Sequence, residues 1–88
     1  MKHIVLNGAD MTMRADAYAQ IWRALDCPEH CGANLDALWD VLTTTCAHLT
    51  LRNPTPMLNA LGGYGCKMLE IFFKAAEETE TFRFSVEA

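Results

Sequence analysis

Three short apolar segments, each separated from the next by stretches with helical spacing, restrict this chain to one kind of layered fold. The first is "HIVL", residues 3–6, a β-branched and apolar run closed by the turn pair Asn7-Gly8. The second is "AHLTLR", residues 47–52. The third is "TFRFSV", residues 81–86, whose alternation would turn Phe82, Phe84 and Val86 toward a core. Between the first two lie a pattern from Thr12 to Leu25, with Asp10 or Thr12 as caps, and a second from Asn34 to about Thr43. In the first of these, apolar residues recur at Met11, Ala15, Tyr18, Trp22 and Leu25. Beyond residue 52, Pro54 and Pro56 break the chain, a short helix is expected at about 56–61, and "GGYG" punctuates it. Lys67 to Glu78 then places Met68, Leu69, Phe72, Ala75 and Ala76 on one side of a long helix. Strands joined through helices pair in parallel. The expected architecture is therefore α/β, a three-stranded parallel sheet packed with about four helices. A chain of 88 residues supports one domain, residues 1–88, with one modest core.

Charge placement says more than the net charge of −4. No Lys or Arg lies between Arg23 and Arg52, whereas Asp26, Glu29, Asp36 and Asp40 all do. The other seven acids balance the seven bases, so the whole net charge resides in that interval. A one-signed field steers oppositely charged partners, and it disfavours direct contact with nucleic acid. The apolar runs fall far short of the ~20 residues needed to span a bilayer, so no membrane span is expected. "MKHIVLNG" is too short an apolar run for a signal peptide, which makes a cytoplasmic address the default.

In that setting Cys27, Cys31, Cys46 and Cys66 read as reduced, incidental thiols. Zinc bound by Cys27, His30, Cys31, Cys46 and His48 is the sharper alternative, but the spacing of these residues matches two compact ligand pairs only loosely. Neither a metal nor any other cofactor is expected. "GGYG" lacks the Lys-Ser/Thr that completes a phosphate loop, so it reads as a turn. No nucleophile with a base and an orienting third group can be assembled, and the chain is not expected to be an enzyme.

The stretch "CPEHCGANLDALWDVL", residues 27–42, contains an apparent conflict. Asn34 is a good N-cap, and Leu35, Leu38 and Leu42 form an apolar stripe. Yet Asp36 and Asp40 stand four residues apart on one helical face, where like charges cost roughly 0.2–0.5 kcal/mol. Asp36 gains from the helix N-terminus; Asp40 does not. A helix that carries such a pair needs a reason for it.

Pro28-Glu29, Gly32 and the run Asn34-Leu35-Asp36-Ala37-Leu38-Trp39-Asp40, followed by Leu42-Thr43, resemble the signature of the barstar family, small intracellular inhibitors of microbial ribonucleases. "IVLNG", "MLEIFFKA" and "FRFSV" are similar to the first strand, last helix and last strand of that family. The resemblance implies a barstar-like domain in which a loop and helix plug the basic active site of a cognate microbial ribonuclease or nuclease toxin. Asp40 would then enter the phosphate pocket and Asp36 would meet a second basic group. Trp39, Asn34, Leu35, Gly32 and Thr43 would shape the contact, and His30 would stand where an aromatic residue often stacks on the enzyme. The partner would be bound one to one by a chain that is monomeric when free. Cys31, Ala33 and Lys74 depart from the best-known pattern, and the segment after Thr43 is shorter. The alternative is a non-inhibitory regulatory module that keeps the fold and turns its acidic face to another basic protein; such a module would not need the Asp36/Trp39/Asp40 face.

Overall fold

The computed structural model describes residues 2–27 and 32–88. The strands are β1 (Lys2–Asn7), β2 (Ala47–Arg52) and β3 (Phe82–Glu87). They form one parallel sheet in the order β1-β2-β3, with Ile4 opposite Leu49 and Leu49 opposite Phe84. Four α-helices accompany them among the described residues: α1 (Arg14–Ala24), α2 (Leu35–Thr44), α3 (Pro54–Leu61) and α4 (Gly63–Glu78). The expected three-stranded parallel sheet with its helices is what the chain forms.

Strand alternation determines where the core sits. Ile4 and Leu6, then Ala47, Leu49 and Leu51, then Phe82 are buried on one face, under Ile21, Leu38, Leu42, Met57, Met68 and Phe72 from the helices. The intervening residues His3, Val5 and Asn7 on β1 and Arg52, Arg83 and Glu87 on the other strands are exposed. Val5 is 61% exposed in the middle of its strand. No described element covers this second face, although parallel sheets are usually clad on both sides.

Several boundaries differ from the sequence expectation for identifiable reasons. Residues Gly8–Asp10 form a 3-10 turn, with the Asn7 side chain accepting from the Ala9 N–H at 3.0 Å, so α1 starts only at Arg14 and neither Asp10 nor Thr12 caps it. Helix α3 begins at Pro54, since proline at the first helical position forfeits no intrahelical bond. The largest difference is at "GGYG". Only Gly62 acts as the turn, with φ +58°, and Gly63 to Cys66 open α4 instead of preceding it. On β3, Phe82 is buried, but Val86 is 39% exposed because it lies at the open end of the sheet's edge strand.

Candidate functional site

Helix α2 is held in one orientation. Asn34 has extended backbone, and its side-chain oxygen accepts from Ala37 N–H at 2.8 Å, which satisfies one of the free donors of the first turn. Leu38 and Leu42 are completely buried, and Leu35, Ala37, Trp39 and Val41 pack partly against the core. With those residues turned inward, Asp36 and Asp40 are exposed on the outer side. Neither carboxylate has a cation within ion-pair distance among the described residues. The like-charged pair expected from the sequence therefore stands exposed on the folded chain with no ion-pair partner among the described residues.

Thr43, the last residue of the expected contact set, donates its hydroxyl back to the carbonyls of Trp39 at 2.9 Å and Asp40 at 3.2 Å. Thr44 likewise bonds the Asp40 carbonyl at 2.9 Å. Its hydroxyl proton is committed to the helix, which leaves Thr43 only lone pairs to offer a partner. Gly32 is exposed, and a Cβ there would come within 2.7 Å of the Asn34 amide nitrogen. A side chain at position 32 would push on the group that caps α2. The site thus brings together Gly32, Asn34, Leu35, Asp36, Trp39, Asp40 and Thr43. His30 lies outside the described residues, as do Pro28, Glu29 and Cys31.

Two features of this face were not legible in the local sequence. The first is Lys74, whose ammonium lies 5.9 Å from the centre of the Trp39 ring. It reaches α2 from α4, across 35 residues of chain, and places a cation beside an acidic face whose own segment has none. The second is the ion pair between Lys2 and Asp26. One of the four acids of the basic-free interval is thereby matched from the start of β1, and the unmatched described charge narrows to Asp36 and Asp40. Beside the site, between α1 and the approach to α2, a groove is lined by Tyr18, Trp22, Arg23, Asp26 and Ala33. It is largely apolar, and Cys27 also lies in its wall.

The architecture and the acidic helix can be set beside known proteins. The profile of the family described as Barstar (barnase inhibitor) matches residues 1–88. The chain is also 35% identical over 81 residues to a Bacillus subtilis (strain 168) protein named "Putative ribonuclease inhibitor YrdF", a match that covers 89% of each chain.

Proposed function

The chain belongs to the barstar family, a family of inhibitors and not of catalysts, and from that premise we propose that it inhibits a cognate microbial ribonuclease or nuclease toxin in the cytoplasm. The observation that carries the reading is the exposed, unpaired acid pair Asp36 and Asp40 on a helix whose opposite side is locked into the core. A basic active site built for RNA phosphates supplies the cations that the free protein lacks. The pair is then a preorganised phosphate mimic, and its mutual repulsion is relieved in the complex. Trp39 supplies the half-buried aromatic surface between the acids, of the kind that anchors interfaces.

Lys74 sharpens the kind of nuclease. A standard interface covers about 800 Å² on each partner, and one centred on Trp39 and Asp40 also covers the Lys74 ammonium 5.9 Å from the centre of the Trp39 ring. Desolvating that charge without a counter-charge is costly. The partner therefore carries a carboxylate on the rim of its cationic cleft. Co-expression with the product of the adjacent reading frame tests the proposal: growth is restored by the wild-type chain and not by Asp40→Ala if that product is a lethal nuclease. A nuclease blocked equally well by Asp40→Ala would remove the acidic helix from the mechanism.

A further inference from the structure

The uncovered face of the sheet carries a cluster that the inhibitory face does not use. His3 on β1 and His48 on β2 are direct register partners, and their rings lie 5.4 Å apart between centroids, tilted by 41°. Their neighbours Ile4 and Leu49 point into the core, so both imidazoles project away from the helices. The Nε2 atom of His48 is 3.0 Å from the Ser85 hydroxyl, which is itself 3.1 Å from the Thr50 hydroxyl. We infer that His3 and His48 form a two-imidazole site for a divalent transition-metal cation of the zinc, nickel or copper class.

Ring spacing is the first argument. A tetrahedral zinc holds imidazole nitrogen at about 2.0–2.1 Å, and with about 1.1 Å more to each ring centre, two ligating rings have centroids about 5.2 Å apart. The observed 5.4 Å is close to that separation. The second argument is the hydrogen bond to Ser85. When His48 donates Nε2–H to that hydroxyl, its Nδ1 keeps the lone pair that a metal requires, and an oxygen partner on the far nitrogen is how ligating histidines are oriented.

Donor type selects the cation, because imidazole favours zinc, copper and nickel over magnesium and calcium. No group of three His, Cys, Asp or Glu side chains is gathered among the described residues, so water fills the remaining positions. Arg83, the register partner of His48 on β3, opposes the cation, and the Arg52–Glu87 pair further along the face, at 3.4 Å, largely cancels itself. A bound cation would tie residue 3 to residue 48, closing the segment that contains α1 and α2, and would stabilise the folded form in which the acidic helix is displayed.

The test is titration of the intact, reduced chain with Zn²⁺ and with Ni²⁺ by calorimetry, with the histidine ring resonances followed by NMR. The expected result is one site whose filling perturbs both His3 and His48. His3→Ala or His48→Ala weakens binding at least tenfold, Arg83→Ala strengthens it, and excess Zn²⁺ raises Tm in the wild type but not in His3→Ala. Cys46→Ser, Cys66→Ser and His30→Ala leave binding in place. Affinity that survives His3→Ala, or that disappears with a cysteine or with His30, overturns the assignment. None of these readouts depends on nuclease inhibition, so each proposal can fail without the other.

Discussion

The hydroxyl oxygens of Tyr18 on α1 and Tyr64 on α4 lie 2.6 Å apart, joining two helices whose residues are 46 positions apart in sequence. The rings meet edge to face, Trp22 packs beside Tyr18, and the Arg14 guanidinium covers Tyr64 at 3.8 Å from its centre. Burial pushes the Tyr18 phenol far above its ordinary range, and the hydrogen bond and charge of Tyr64 add to that, against a smaller opposing effect of Arg14. The folded state therefore holds the Tyr18 proton where the unfolded chain releases it. The resulting contribution to stability is intact below about pH 10 and falls as the unfolded-state phenol ionises above it. Alkaline titration at 295 nm should show Tyr18 ionising only together with loss of far-ultraviolet helical signal. Tyr64→Phe should lower stability by about 1 kcal/mol at neutral pH through loss of the shared hydrogen bond.

Gly8 should not tolerate a side chain. A Cβ at this position would stand 2.1 Å from the Asn53 carbonyl oxygen and 3.0 Å from its carbon, both backbone atoms. Asn53 is itself constrained, with φ +51°, its N–H donating to Glu87 and its amide to Asn7. The clash would fall where the ends of all three strands are tied together. Gly8→Ala should cost about 2–3 kcal/mol in urea unfolding, with little change in the slope of the transition.

Asp40→Ala should divide stability from binding. In the free chain it removes the repulsion with Asp36 and adds helix propensity, so stability should rise by about 0.5–1 kcal/mol. In a complex the same change would leave a desolvated cation cluster in the enzyme. The loss there should be several kcal/mol, the order of effect of the like substitution in barstar itself. Melting curves and binding titrations on this one variant check both halves, and a lower Tm would contradict the first.

Association should depend steeply on salt. With Asp36 and Asp40 exposed on one face, attraction to a basic cleft operates over the Debye length, which shrinks from ~10 Å at 0.1 M to ~3 Å at 1 M. Stopped-flow mixing across that range should show the association rate falling while dissociation changes much less. An unchanged association rate would show that docking is not steered by this face.

Reversal of charge at Lys74 should separate partners. If the nuclease places a carboxylate against Lys74, Lys74→Glu should weaken binding by more than Lys74→Met, because the first adds repulsion and the second only removes attraction. Equal losses would mean that Lys74 does not act through its charge.

What could be read in the sequence was what is local. Strand alternation at Ile4, Leu6, Leu49 and Leu51, the Asn34 cap, and the buried stripe of Leu38 and Leu42 all follow from periods of two or 3.6 and from one side-chain hydrogen bond. The acid pair was legible for the same reason. What was missed depends on packing between distant segments. Tyr64 could not be matched to Tyr18, nor Lys74 to Trp39, nor Lys2 to Asp26, without knowing how α4 and β1 are placed. "GGYG" misled because glycine is a poor helix former by propensity, yet three of its four residues are helical once Tyr64 and Gly65 are drawn into contact with neighbouring helices.

The way α2 is seated also constrains how a protein of this kind can change its target. Each residue added or removed within the helix rotates all that follows by about 100°. An insertion between Asp36 and Leu42 would carry the buried leucines out and an acid or Trp39 in, so the helix tolerates no change of length that keeps both faces. Exchange of residue type at the outward positions is free of that penalty. If the two acids dock a nuclease, lineages acquiring new ones would therefore diverge by substitution at fixed spacing, and the distance between the acids would outlast the identity of any one partner.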